Sequence, residues 1–313
     1  MRDYKYLFGP VPSRRLGSSL GVDVVPLKIC SLDCVYCEVG KTTDLTVDRK
    51  EYFPTDIIVE EIKDYLKNNK HPDYITFSGS GEPTLNISIG KIIDFIKSEY
   101  SHIPIAVLTN ATLLGDKHIR KELLKADLIL PSLDAGSKKV FDKINRPCNK
   151  IDFDNYIDGL IQLRKEFKGK YWLEVFILPE YNDSAENLEE MRKIVEKINP
   201  DSIQLNTLDR PGVLSDIYPA SREMLENIKK SWKFDNIDII SRNNSNSKVN
   251  IVQDNVDETI LSTIKRRPCT LEDLEEILGI HRNEINKHLS ILENNKQIKR
   301  NIQNRGIFYS KAL

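Results

Sequence analysis

Nowhere in its 313 residues does the chain carry a run of about 18 apolar residues, the length a membrane helix needs, so no membrane role is expected. Charge of one sign is missing too. Lys and Arg number 46 against 47 Asp and Glu, a formal net charge of -1, which leaves no global attraction to nucleic acid or anionic lipid. Any such preference must be local. No repeat appears at the periods of solenoids. The stretch 1–8 is charged and lacks the apolar segment of a secretory signal, and a cytoplasmic location is expected. Cysteine is scarce and odd in number, five residues in all, which argues against a disulfide framework. Three of the five fall within eight positions, and in a reducing compartment such clustering points to a metal.

Apolar residues at 40% and charged residues at 30% describe a globular protein, and the length suits one large domain with a small appendage. From about residue 20 to 240, β-branched runs alternate with helical periodicity. Strands are expected at 20–25, 74–77, 105–109, 128–132, 173–178 and 203–207. Helices are expected at 57–66, 89–98, 117–125, 153–167 and 185–198, with Asp152 and Ser184 as fitting N-caps. This alternation predicts an α/β fold with a mostly parallel sheet, and six units suit an open, partial (βα)6 barrel rather than a closed one.

The Asn- and Ser-rich stretch 241–255 reads as a linker. Beyond it, helices are expected at 258–265, 271–278 and 281–293, with Thr270 as a cap and Gly279 as a stop. Short strands at 296–300 and 306–310 would flank a turn at Asn304-Arg305-Gly306. That is a winged-helix arrangement, and it divides the chain into 1–240, a linker at 241–255, and 256–313.

The stretch Cys30-Ser31-Leu32-Asp33-Cys34-Val35-Tyr36-Cys37 follows the first expected strand. Thiolates are the usual ligands of iron–sulfur clusters, and three of them on a short loop can hold three irons of a four-iron cubane. The fourth iron is then open to another ligand. A zinc site is the alternative, but structural zinc wants four ligands. Cys148, Cys269 and the nearest histidine, His71, are all far away in sequence.

The spacing, with Tyr36 as an aromatic residue before the last cysteine, resembles the radical S-adenosylmethionine (radical SAM) superfamily over roughly residues 8–240. The resemblance implies a [4Fe–4S] cluster on Cys30, Cys34 and Cys37, S-adenosylmethionine as cofactor, and formation of a 5′-deoxyadenosyl radical. It also implies an external electron donor such as ferredoxin or flavodoxin. After the second expected strand comes Ser78-Gly79-Ser80-Gly81-Glu82-Pro83. The family has Gly-Gly-Glu-Pro here and uses it to bind the cofactor's amino group; Ser80 stands in place of the first of those glycines. Cofactor-binding candidates are therefore Tyr36, Gly79, Ser80, Gly81 and Glu82. Polar residues at later strand ends, Asn110, Ser132, Asp134 and Asn206, are further candidates, with helix caps or turns as the alternative.

The segment from Phe8 to Gly17, with Leu20 to Asp23, resembles a subgroup near the archaeal tRNA wyosine synthases. Arg14 and Arg15 in it are candidates to hold an anionic group at the barrel mouth; an ordinary turn is the alternative. Arg146 is a candidate partner for a carboxylate or a substrate phosphate, or a surface loop charge. Cys148 is a candidate hydrogen-atom donor, or a structural cysteine. Glu174 and the loop 178–183 are placed to face the site.

From His281 onward, Arg282, Lys287, Lys296, Lys299, Arg300, Arg305 and Lys311 outnumber Glu284 and Glu293 by five. This local surplus suits RNA or DNA contact through the winged helix. Glu272, Asp273, Glu275 and Glu276 on the preceding helix oppose it, and a peptide or protein partner is the alternative. The expected activity is modification of a nucleoside in RNA. Its rivals are modification of a peptide or small metabolite, and a redox- or S-adenosylmethionine-sensing DNA-binding regulator.

Overall fold

The computed structural model describes residues 4–78, 80–214, 216–240, 256–303 and 306–312. The expected linker at 241–255, Gly79 and the turn residues Asn304 and Arg305 lie outside the described residues.

Two layers make up the larger part. Its sheet strands are β1 (Leu7–Ser13), β2 (Gly17–Val22), β5 (Tyr74–Phe77), β6 (Ile105–Thr109), β7 (Leu128–Pro131), β8 (Lys170–Phe176), β9 (Ser202–Asn206) and β10 (Ile237–Ile239). They pair in the order β1-β2-β5-β6-β7-β8-β9-β10. Only β1 and β2 are antiparallel; every other pair is parallel. A separate two-stranded ribbon joins β3 (Ile29–Cys30) to β4 (Asp44–Leu45). The connections carry α1 (Thr55–Asn68), α2 (Ile89–Glu99), α3 (Lys117–Leu123), α4 (Lys138–Ile144), α5 (Phe153–Glu166), α6 (Ala185–Ile198) and α7 (Arg222–Trp232).

Strand alternation sorts the side chains. Along β8, Tyr171, Leu173 and Val175 join the main core, which also takes in the apolar faces of α1, α2, α5 and α6. Trp172 and Phe176 belong to separate small clusters on the other face of the sheet. Asp152 and Ser184 do cap α5 and α6, their side chains accepting from Asn155 N and Asn187 N.

The sheet has two more strands than the six expected. Gly9, Pro10 and Pro12 hide β1 from a propensity reading, yet proline is tolerated on an edge strand because no ladder bond is required there. At three residues, β10 is too short for alternation to show. The first expected strand ends at Val22, not residue 25, because the chain turns there into the cysteine loop; the fifth runs Lys170–Phe176 rather than 173–178. The expected helices also omit the seven-residue α4 and α7, although Leu225, Ile228 and Trp232 of α7 recur at helical spacing and are buried.

A smaller unit follows, made of α8 (Val256–Arg266), β11 (Cys269–Thr270), α9 (Leu271–Leu278), α10 (Arg282–Asn294), β12 (Ile298–Gln303) and β13 (Gly306–Lys311). Its three strands pair antiparallel in the order β11-β13-β12. Thr270 and Asp273 form a capping box that starts α9, and left-handed Gly279 (φ 67°) ends it. Ile260, Ile264, Leu274, Ile277, Ile285, Leu289 and Leu292 give this unit its own core, against which Val11 of β1 packs. Arg210, in the loop after β9, reaches Asp273 of α9 at 3.5 Å. The unit thus meets edge strand β1 and the loop after β9. Among the described residues, no helix is long and apolar enough to cross a membrane.

Candidate functional site

The cysteine loop leaves β3 and is pinned from three sides. Thr46 N donates to Cys30 O at 3.0 Å, Asp33 N to Asn145 O at 3.0 Å and Val35 N to Ile144 O at 3.0 Å. Arg146 donates through Nε to Asp33 O at 2.6 Å and pairs with the Asp33 carboxylate at 3.2 Å. Of the sequence alternatives for Arg146, the carboxylate partner is the one present, and it lies inside the loop itself. Cys148 is buried behind the same loop, its N donating to Ser31 O at 2.9 Å.

Each of the three loop sulfurs has its own N–H donor. Asn110 Nδ2 lies 3.4 Å from Cys30 Sγ, Asn145 Nδ2 3.4 Å from Cys34 Sγ, and Lys28 Nζ 3.1 Å from Cys37 Sγ. All three cysteines are free and half-buried. Burial pushes the Cys30 thiol up to about 12 and raises Cys34 as well. Thiolates at such a place need a compensating cation, and an iron cluster supplies one. Among the described residues, no group of three or more His, Cys, Asp or Glu side chains converges on a single-ion site. Three sulfurs, each with a separate donor, fall one short of the four-ligand shell of a structural zinc and match the three thiolates that a four-iron cluster with one open iron needs.

The segment after β5 presses against this loop. A Cβ at Gly81 would sit 2.0 Å from Ile29 O, so only glycine allows the approach. Glu82 N donates to Ile29 O at 3.1 Å and Lys28 N to Ser80 O at 2.6 Å. The Glu82 carboxylate, 2% exposed, accepts from Thr84 N (3.1 Å), Thr84 Oγ1 (2.6 Å), Thr109 Oγ1 (2.6 Å) and Asn110 N (2.7 Å). Burial raises its pKa while these bonds pull it down. Glu82 therefore rivets the end of β5 to the end of β6, its side chain spent on protein donors.

Asn110, Ser132, Asp134 and Asn206 follow or end β6, β7 and β9, so the parallel register brings them to one end of the sheet. Asp134, 3% exposed, accepts from the Tyr36 hydroxyl, from Asn145 Nδ2 at 2.7 Å and from Phe176 N at 3.3 Å. Burial pushes this carboxyl up to about 6. Tyr36 stacks on Phe176 with ring centroids 3.8 Å apart. Asp134 thus holds Tyr36 in place. Ser132 pairs with Glu174 across β7 and β8, and its carbonyl accepts from Tyr156 Oη at 2.6 Å. Asn206 Oδ1 accepts from Thr207 N at 3.0 Å.

Arg15 is no idle turn residue: its Nη1 pairs with Glu174 and donates to Gln204 Oε1 at 2.8 Å. Arg14 lies 3.9 Å from Asp209, and burial lowers its pKa. Sequence reasoning gave no role to Lys28, Asp23, Glu38, Asn145 or Arg210. Arg210, 6% exposed, meets Asp209 at 3.1 Å and Glu38 Oε2 at 3.3 Å. For Asn145, the signal was its place beside Arg146; for Glu38, its place beside Cys37. For Asp23, it was its place at the end of the 8–23 segment with the subgroup resemblance; Lys28 carried none.

A family model described as the radical SAM superfamily matches residues 24–198. A Brachyspira hyodysenteriae protein named GTPase Obg is 39% identical over 307 residues, 98% of this chain. The chain spans only 45% of that relative's length. A UPF0026 protein of Methanocaldococcus jannaschii is 33% identical over 280 residues, covering 87% of this chain and 85% of the relative. Among solved structures, TYW1 with a lysine–pyruvate adduct bound superposes with a TM-score of 0.52 at 17% identity, over 72% of this chain and 75% of that one. This last likeness is one of fold.

Proposed function

Because the chain belongs to the radical SAM superfamily, we propose that it reductively cleaves S-adenosylmethionine and modifies a nucleoside in RNA. It is an enzyme of a class that uses a [4Fe–4S] cluster and S-adenosylmethionine. Held there, a [4Fe–4S] cluster would supply a low-potential electron and an open coordination position for S-adenosylmethionine, the chemistry that reductive cleavage of the sulfonium requires.

Cys30, Cys34 and Cys37 would hold the cluster. Asn110, Asn145 and Lys28 aim N–H groups at the three sulfurs, and hydrogen bonds to cluster ligands tune the potential. The backbone at 80–82, with Asn110, Ser132 and Asn206, lines the cofactor's place, and Asp134 orients Tyr36 beside it. Cys148 is structural, and Arg14 and Arg15 face the substrate side. A low-potential donor of the ferredoxin or flavodoxin kind supplies the electron. The observation that carries this reading is the set of three half-buried thiols, each with a separate N–H donor, at the loop end of a parallel sheet.

The unit over 256–313 is a winged helix joined through 241–255, with α10 as the groove-reading helix. Its order of three helices and an antiparallel ribbon supports this. Lys287, Lys296 and Lys299 are exposed on it. The opposing acids are partly answered: Asp273 is buried at the seam, and Glu275 pairs with Arg282 at 2.9 Å. Resemblance of the 8–23 segment to the wyosine-synthase subgroup adds the nucleoside.

Anaerobically reconstituted protein given dithionite and S-adenosylmethionine should release 5′-deoxyadenosine. Crosslinks to RNA should appear and weaken in a Lys287→Gln, Lys299→Gln variant. Crosslinks to duplex DNA with no 5′-deoxyadenosine would instead favour a regulator.

A further inference from the structure

Among the described residues, a chain of side chains joins the C-terminal unit to the segment that follows β5. Arg266, the last residue of α8, makes an ion pair through Nη1 with Asp23 Oδ2, and its guanidinium lies 4.1 Å from the Phe8 ring centroid. Asp23 sits just past the end of β2 and is 8% exposed. Its other oxygen, Oδ1, accepts from Ser80 Oγ at 2.9 Å. Ser80 is itself buried, its carbonyl accepts from Lys28 N, and it precedes Gly81 at the closest approach to Ile29 O. The hydroxyl that replaces the family's glycine is thus the donor that completes the chain.

Each link needs the next. Burial alone raises the Asp23 carboxyl, and both Arg266 and Ser80 oppose that. Without Arg266 a buried carboxylate loses its counter-charge; without the Ser80 hydroxyl one of its oxygens loses a donor. The unit has other anchors, Val11 against its core and Arg210 to Asp273, so breaking this link loosens the seam without detaching the unit.

We propose that Ser80, Asp23 and Arg266 are positioning residues that couple docking of the C-terminal unit to binding of S-adenosylmethionine. The docked unit holds the backbone at 80–82 in its binding shape. By linkage, bound cofactor holds the unit docked by the same factor. A substrate that grips the C-terminal unit therefore changes cofactor affinity at a distance. This rests on the reading that the segment binds S-adenosylmethionine.

The test is a double-mutant cycle on full-length, cluster-loaded protein, with cofactor affinity read by equilibrium dialysis. Arg266→Met and Ser80→Gly should each weaken binding by about tenfold, and the double variant should be no weaker than the weaker single one. Ser80→Gly keeps the family's own backbone, which guards against mere misfolding. Lys193→Met, at an exposed position of α6, is the control. Independent factors that multiply in the double variant, or single effects under about twofold, would overturn the proposal. Amide exchange in protein without cofactor gives a second readout: Arg266→Met should speed exchange at 80–85. If wild-type protein binds no S-adenosylmethionine, the functional reading fails. If it binds while exchange at 80–85 ignores Arg266→Met, the coupling alone fails.

Discussion

Buried charge is handled in two different ways in this protein. Beside the cysteines, acids are met mostly by neutral donors: Glu82 by two threonines and two backbone amides, Asp134 by Tyr36, Asn145 and a backbone amide. At the seam with the C-terminal unit, charge is met by charge: Arg266 with Asp23, and Arg210 with Glu38, Asp209 and Asp273. Neutral donors are short-range and directional, so they fix geometry and are little affected by salt. Ion pairs pay for desolvation and respond to pH and partner charge. One region is built to stay put; the other is built to be adjustable.

The largest effect should come from removing one of the proposed cluster ligands. Cys34→Ala should bring bound iron and 5′-deoxyadenosine formation to background, measured by iron assay and product chromatography, while far-ultraviolet circular dichroism is unchanged.

Next in size is Glu82→Ala, which leaves four buried donors without their acceptor. It should cost about 3 kcal/mol in chemical denaturation, with little dependence on salt. A loss that shrinks in high salt would mean that this region, too, relies on charge.

Smaller, and of opposite character, is Arg266→Met. Asp23 has a folded pKa raised above its unfolded value, so its favourable contribution is full at low pH and is lost as pH rises through the folded pKa. Removing Arg266 raises that pKa further, so more is lost at neutral pH. The variant should be destabilised by about 2 kcal/mol at pH 8 and by under about 1 kcal/mol near pH 4. Equal losses at the two pH values would erase the contrast between the regions.

What could be read from the sequence was local. The cysteine spacing, the Ser78-to-Pro83 segment, β5 and β6, and the caps Asp152, Ser184 and Thr270 all lie within a few positions of the signals that reveal them. Ends of elements slipped where a strand turned into a functional loop, as at Val22. What stayed hidden was long-range. Asn145 meets Cys34 from 111 positions away, Arg15 meets Glu174 from 159, and Arg266 meets Asp23 from 243. No periodicity encodes such pairs; they exist only once the parallel register and the docked C-terminal unit have formed. Ser80 shows the cost of this. Read alone it was a departure from the family's glycine, and only with Asp23 in view does its hydroxyl acquire a partner.

Electron paramagnetic resonance of the anaerobically reconstituted, dithionite-reduced protein tests the account at its centre. It predicts one [4Fe–4S] signal per chain that changes shape when S-adenosylmethionine is added, as an iron with a free coordination position requires. A silent zinc-loaded protein, or a cluster signal indifferent to the cofactor, would contradict it.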